Sequence, residues 1–338
     1  MLNAKFLFLL VISISNIQAI SQINLESKKN DLIFQNRNSE AKIRDSVYLS
    51  LVWEGSHLKL ENLESIKQFR ADFPDMPIIH FIDPAYFTHS GSDEIKIQLL
   101  INSALKKEDR ICLHNHSWNG LLQHSGVTPR YKTSYWGQKI NTKLCESTAC
   151  GHEVPITDYS KSELYKILQS SQQLFQKHFK LTSNCYMAGA WLMSKDLLDV
   201  LIAHNFKYDF SYTNLRLLQN RLKAFPLYQM IKTSWIKYEL ANTPRIIHRP
   251  LGWIFEIGVN AASLDYHSND GLKSLFDLHL AASKAGKNLH PFHFSLYQES
   301  FHFHEKRLRE FLRYIREKSG ILPNRQEDLN YLDLTKQN

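Results

Sequence analysis

The chain has 338 residues, 43% of them hydrophobic and 12% aromatic, with a formal charge of +8 at pH 7. This is the composition of a globular chain, and it excludes a low-complexity or disordered one. The positive charge mildly favours acidic partners such as anionic glycans or a membrane surface, whereas scattered basic residues without a DNA- or RNA-binding motif argue against nucleic acid.

The amino end opens with Met1–Lys5, an apolar run from Phe6 to Ile14, and an exit of small and polar residues through Ala19. A charged start, an apolar stretch of about ten residues and a small-residue exit are the parts of a secretory signal peptide. The run is shorter than the ~20 apolar residues a bilayer requires. A buried first helix would be amphipathic, and this segment is apolar all round. Residues 1–19 are therefore expected to be a signal peptide, residues 20–45 a polar leader, 46–322 a single domain and 323–338 a tail. The expected location is periplasmic or extracellular, with no transmembrane segment.

Ser46–Trp53 is β-branched and aromatic and predicts a buried strand. Leu60, Leu63, Ile66 and Phe69 share one helical face, so Leu60–Phe73 predicts a helix. Pro77–Ile82 reads as a strand, Asp93–Lys106 as a helix and Arg110–His114 as a strand. A long polar insertion covers 117–159. Ser160 and Glu163 form a capping box for a helix reaching about His178. Asn184–Ala188, Tyr208–Tyr212, Gly252–Asn260 and Asn288–Ser295 read as strands. Ser194–His204, Asp270–Ala285 and Glu305–Lys318 read as helices, the last stopped by Gly320. This alternation predicts a mostly parallel sheet covered by helices, either an open doubly wound sheet or a barrel. In both, chemistry gathers beyond the carboxyl ends of the strands.

Glu54 follows the first predicted strand, and His80 and Asp83 end the second. His114 and His116 end the third, Trp191 follows the fourth, and His290 and His293 mark the last. His114-Asn115-His116 is the sharpest local signal. Residues two apart on a strand face the same side, so both imidazoles can reach one metal ion. Glu54 or Asp83 could complete a His₂-carboxylate set with an open position for water. Taken alone, a His-x-His pair is a weak signal, since two strand-end histidines can simply be hydrogen-bonded.

With those residues in place, the chain resembles the polysaccharide deacetylase family, metal-dependent carbohydrate esterases built on a deformed barrel of parallel strands. Ile111–Trp118 (ICLHNHSW) is similar to the family's second motif in its leucine-histidine-x-histidine form. Leu51–Gly55 (LVWEG) resembles the first motif, Met187–Trp191 (MAGAW) with Tyr208–Asn214 the third region, and Leu289–Phe294 (LHPFHF) the last. The resemblance spans about residues 46 to 320. It implies a deformed (β/α) barrel and removal of N-acetyl or similar acyl groups from a cell-wall or extracellular polysaccharide. It also implies a divalent ion, zinc or another such as cobalt, on Glu54, His114 and His116, with His290 as general acid. His293 should face away from His290 on a strand, so only one of the two is expected to act. Trp118 and Trp191, beside motif residues, are the expected sugar-stacking surfaces.

The chain departs from the family pattern at informative places. The acidic residue that normally precedes the metal-binding one is replaced by Trp53, or by Val52 under a shifted alignment. The arginine that would orient it is Met187, and Gly120 stands where the commoner motif has its second histidine. Either Glu54 or Asp83 serves as base, or the chain is a catalytically inactive carbohydrate-binding relative. Of the four cysteines, Cys145 and Cys150 could form a local bridge. A zinc knuckle with His152 would need a second cysteine pair. Cys112 and Cys185, on apolar strands, are expected as plain core residues.

Overall fold

The computed structural model describes residues 46–131, 134–140, 149–235, 244–285, 291–321 and 323–324. The expected signal peptide, the leader and all but two residues of the tail lie outside them, as do Cys145 and His290. Eight strands form one sheet: β1 (Val47–Trp53), β2 (Ile79–Ile82), β3 (Arg110–Asn115), β4 (Cys185–Ala188), β5 (Tyr208–Asp209), β6 (Arg245–Arg249), β7 (Gly252–Glu256) and β8 (Phe292–Tyr297). Their order is β6-β7-β5-β4-β3-β2-β1-β8. Every pairing is parallel except that of the edge strand β6 on β7.

Helices α1 (Leu60–Asp72), α2 (Glu94–Asn102), α4 (Lys161–Phe179), α5 (Lys195–Ala203), α8 (Asn269–Lys284) and α9 (Phe301–Ser319) alternate with the strands. The short α3 (Asn119–His124) lies in the insertion, and α6 (Leu215–Leu222) and α7 (Pro226–Trp235) precede β6. The capping box of α4 is present in full: Ser160 Oγ accepts from Glu163 N–H and Glu163 Oε2 from Ser160 N–H. Gly320 ends α9 in the left-handed region, at φ 73°, where glycine carries no Cβ penalty.

Strand alternation sorts the core into two apolar sets. Leu49, Leu51, Trp53, Leu113, Tyr186 and Leu296 pack outward under the helices. Tyr48, Val52, Phe81, Cys112, Cys185 and Met187 point to the concave side. The sheet is strongly curled. Phe210, just beyond β5, meets Phe81 of β2 at 5.1 Å and His293 of β8 at 5.6 Å between ring centroids, although β8 lies five places from β5 in the sheet. Past β7 the chain passes beside β8, where Ala261 N–H donates to His293 O and Ser295 N–H to Ala262 O. This irregular segment bridges the two ends, so the sheet is a deformed barrel.

Four expectations are corrected. Cys112 and Cys185 are not free core residues: they form a disulfide. Both point into the barrel at neighbouring positions of β3 and β4, with Cα atoms 5.0 Å apart, a proximity that a separation of 73 residues hides. Cys150 is also disulfide-bonded. The strand after Tyr208 is two residues long, because Ser211 and Tyr212 turn away to bond side chains. The last strand begins at Phe292 and runs to Tyr297, later than the hydrophobic pattern suggested. The insertion 117–159 holds α3 and a short 3₁₀ turn at Ile156–Asp158.

A pair of buried acids pins the β5–β7 junction. Asp209 and Glu256 are register partners, and both are almost wholly buried. Asp209 Oδ1 accepts from Ser211 Oγ at 2.5 Å, and Ser211 Oγ in turn accepts from Ala188 N–H at 2.8 Å. Glu256 Oε1 accepts from Tyr212 N–H at 3.1 Å. The remaining oxygens, Asp209 Oδ2 and Glu256 Oε2, are buried without another partner, the arrangement of two carboxyls that share a proton. Burial raises the pKa of both, and the charge on Asp209 raises Glu256 further; Tyr186, Tyr212 and Arg245 are the other ionisable neighbours.

Two predictions follow from these features. Replacing Cys112 and Cys185 together by alanine should lower unfolding stability by about 2–4 kcal/mol, read by denaturant titration; an unchanged midpoint would contradict the cross-link. For the acid pair, a folded pKa raised above the unfolded one gives stability that is full at acidic pH and lost as pH rises through the raised value. Thermal midpoints should therefore fall from mildly acidic to alkaline buffer, and Glu256→Gln should flatten that slope.

Candidate metal centre

Because β8, β1, β2, β3, β4 and β5 run parallel, their carboxyl ends open on one rim. Glu54 leaves β1 there, Asp83 leaves β2, and His114 and His116 end β3. Glu54, His114 and His116 each offer a ligand atom within 4.8 Å of the others, a set that can hold a metal ion. His114 Nε2 lies 3.7 Å from Glu54 Oε1 and His116 Nε2 lies 2.7 Å from Glu54 Oε2. The two imidazoles stand nearly perpendicular, with centroids 5.0 Å apart.

Both tautomers are set by the main chain. His114 Nδ1 meets Met187 O at 2.9 Å and His116 Nδ1 meets His152 O at 3.1 Å. A carbonyl can only accept, so each Nδ1 carries a proton and each ring turns its Nε2 toward Glu54. Among the described residues, neither Nε2 finds a hydrogen bond of good geometry although both are buried. Two orphaned imidazole nitrogens facing one carboxylate, each held by a bond at its other nitrogen, is the donor set a divalent metal requires.

Asp83 fixes this geometry from beneath. Its Oδ2 accepts the N–H of His116 at 2.7 Å and its Oδ1 that of Ala85 at 2.9 Å, capping the 3₁₀ turn Pro84–Phe87. It is fully buried. Close approach from β4 is possible because residue 189 is glycine: a Cβ there would lie 2.6 Å from His116 Nδ1 and 2.7 Å from Asn115 O. The next two residues, Ala190 and Trp191, both take left-handed backbone angles, φ 54° and 57°. For non-glycine residues this costs of order 1 kcal/mol or more each.

The electrostatics follow from burial and proximity. Burial alone would raise Glu54, but the charge on His116 and the close approach of both imidazoles hold it well below the usual carboxylate range. Burial would lower His116, yet Glu54 and then Asp83 push it up to about 9. His114 is lowered by burial. Asp83 is pushed up to about 8 by burial, against the opposing charge of His116. Glu299 is also pushed up to about 8, by burial and then by Glu54. Among the described residues, none of these three carboxyls makes an ion pair with Lys or Arg.

The remaining expected site residues are placed elsewhere or differently. His293 lies on the inner face of β8 near its amino end, level with Tyr48. It is fully buried, bonded to Gly258 O at 2.7 Å and Ser50 Oγ at 3.0 Å, and burial lowers it to about 4. It packs the barrel interior, five strand positions below Glu54's end of the sheet, and is not part of the rim. His80 points to the outer, helix-covered face of β2, where it accepts from Trp53 Nε1–H and faces Asp109. Trp118 and Trp191 adjoin the site but do not offer free faces, being 3% and 5% exposed. Trp118 donates its Nε1–H to Glu54 O and stacks on His152 at 4.4 Å.

Several rim residues were not anticipated. His152 comes from the insertion, with burial and the charge of His116 lowering it to about 4. Burial raises Tyr135, Tyr266 and Tyr297, and all three lie close enough to Glu54 for its charge to raise them further. Glu299 follows β8 directly, and the same strand-end reasoning would have found it had the strand been carried to Tyr297.

No family model matches the sequence, and no curated protein is significantly similar to it. Among solved structures, a Mycobacterium smegmatis protein described as a polysaccharide deacetylase superposes on 86% of this chain and 92% of its own, at 10% identity and a TM-score of 0.52. A family 4 carbohydrate esterase of Streptococcus mutans covers 84% of this chain and 87% of its own at 10% identity, with a TM-score of 0.40. A 4-alpha-glucanotransferase of Thermococcus litoralis covers 86% of this chain and 38% of its own at 12% identity, with a TM-score of 0.43. The last two likenesses are too loose to argue from. The first, with the curled parallel sheet, gives this chain the deformed-barrel fold of the polysaccharide deacetylases.

Proposed function

We propose that this protein is an exported, metal-dependent hydrolase that removes N-acetyl or similar acyl groups from a cell-wall or extracellular polysaccharide. The observation that carries the reading is the pair of orphaned, tautomer-locked Nε2 atoms meeting Glu54 at the open rim of this fold. Zinc suits two imidazoles and a carboxylate with a position left open. Export is supported by the Cys112–Cys185 disulfide, since such bonds persist in oxidising compartments. No described helix is long and apolar enough to cross a membrane.

A divalent cation held by His114, His116 and Glu54 would supply Lewis-acid polarisation of the acyl oxygen and activation of water. The chain's own groups do the positioning. Met187 O and His152 O keep the imidazoles in the tautomer that presents Nε2. Asp83, with one oxygen on each of two backbone N–H groups, is occupied as a positioning residue. Glu54 keeps 26% of its side chain exposed at the rim, and it is the carboxylate we assign to the cation.

A second reading has its own support. The place before Glu54 holds Trp53, fully buried and bonded to His80, and Met187 replaces the expected arginine with an inward apolar side chain. A carbohydrate-binding protein that retains the cleft without the chemistry would look the same at those positions.

Two measurements separate these readings. Metal-free protein supplied with zinc or cobalt should release acetate from N-acetylated glycans, peptidoglycan included; glycan binding with no release in the metal-loaded protein would favour the binding module. His114→Ala and His116→Ala should each lose stoichiometric retention of added zinc in equilibrium dialysis while keeping the wild-type circular dichroism spectrum. Undiminished retention in the double variant would remove the proposed centre.

A further inference from the structure

The turn that carries Glu54 is gripped at successive main-chain groups. Glu299 Oε1 accepts the Glu54 N–H at 3.0 Å and also the Tyr86 hydroxyl at 2.7 Å. Trp118 Nε1–H donates to Glu54 O at 2.8 Å, and His89 Nε2–H to Gly55 O at 2.6 Å. Gly55 sits at φ 86°, where a Cβ would lie 2.9 Å from Trp118 Nε1 and 3.0 Å from Asp83 Cβ. Glu299 is itself fixed from outside: Asn62 Nδ2 donates to Glu299 O at 2.9 Å while Asn62 Oδ1 accepts from His302 N–H at 3.0 Å. The carboxylate thus connects the exit of β8 with the exit of β1 and the 3₁₀ turn after β2.

Glu54 reaches the two imidazoles from a loop, whereas His114 is fixed within a strand and His116 one residue past its end. A ligand on a loop holds its geometry only if the backbone beneath it is held. Among the described residues, Glu299 supplies the one bond to the N–H of that residue, and Tyr86 orients the oxygen that makes it. We propose that Glu299, oriented by Tyr86, is a positioning residue that holds Glu54 in register with His114 and His116 for metal binding. This rests on the metal-centre reading given above. Its contribution is through an acceptor oxygen, so an apolar side chain of equal size cannot replace it and an amide can.

The test is titration of the full-length metal-free protein with Co²⁺ alone, following the visible d–d absorption and the dissociation constant. Glu299→Ala and Glu299→Met should both weaken Co²⁺ binding by about 10- to 100-fold and move the d–d band toward that of Glu54→Gln. Glu299→Gln, which keeps an acceptor oxygen, should recover the wild-type band and most of the affinity, and Tyr86→Phe should fall between. Wild-type affinity and spectrum in Glu299→Met would overturn the proposal and leave Glu299 as packing. Should the Glu299 variants fail to fold, Tyr86→Phe decides: an unchanged constant and band overturn the proposal, a weakened constant with a shifted band supports it. A wild-type protein that gives no d–d band defeats the metal-centre reading itself, before any variant is measured.

Discussion

Parallel pairing of neighbouring strands is the constraint on which the rest of this molecule depends. A parallel ladder sets every strand of the barrel wall in one direction, and crossover helices return the chain to the start each time. The exits of β1, β2, β3, β4 and β8 are therefore brought to one rim, although Glu54 and Glu299 are 245 residues apart. Curling then draws those exits inward. The aromatic side chains on the concave face, with Phe210 against both Phe81 and His293, fill the interior so that the rim remains as the polar opening.

Burying polar groups at that opening is costly unless each finds a partner. The chain meets this through main-chain groups more than through ion pairs. Asp83 takes two backbone N–H groups, both histidine Nδ1 atoms donate to carbonyls, Trp118 donates to a carbonyl and Glu299 takes an N–H and a hydroxyl. Against that background the two Nε2 atoms stand out among the described residues, because both are buried without a hydrogen bond and both face the same carboxylate. The strained Ala190–Trp191 turn and the close approach at Gly189 have the same sense: the β4 exit is pressed against His116 at a local cost that the surrounding packing sustains. Farther along the rim, the Ala188–Ser211–Asp209 relay ties that exit to the acid pair with Glu256, so the β4 and β5 ends are held as one unit.

The sequence was most legible where a local rule operates. The capping box at Ser160, the helical face of α1, and the β-branched strands were read from spacing and residue type, and the resemblance supplied the barrel. His-x-His at a strand end was readable because two-residue alternation is local. Glu299 was hidden by an error of two residues in the end of β8. His152 was hidden because nothing in a polar insertion reveals where its carbonyl will lie. The burial of Trp118 and Trp191 was hidden for a related reason: adjacency to a motif says nothing about how far a ring is covered.

What the sequence by itself determined is the order of elements, the amphipathic faces and the residue types at strand ends, since these follow from propensity and period within a few residues. Only the tertiary structure decided which strand ends meet. Cys112 and Cys185 become neighbours through the β3–β4 register, and His293 becomes a packing group because β8 starts after Pro291 and carries it at the amino end. The tautomers of His114 and His116 were likewise set by carbonyls of Met187 and His152, 73 and 36 residues away. Long-range register and the direction of a single lone pair depend on the whole folded chain, and no local pattern encodes them.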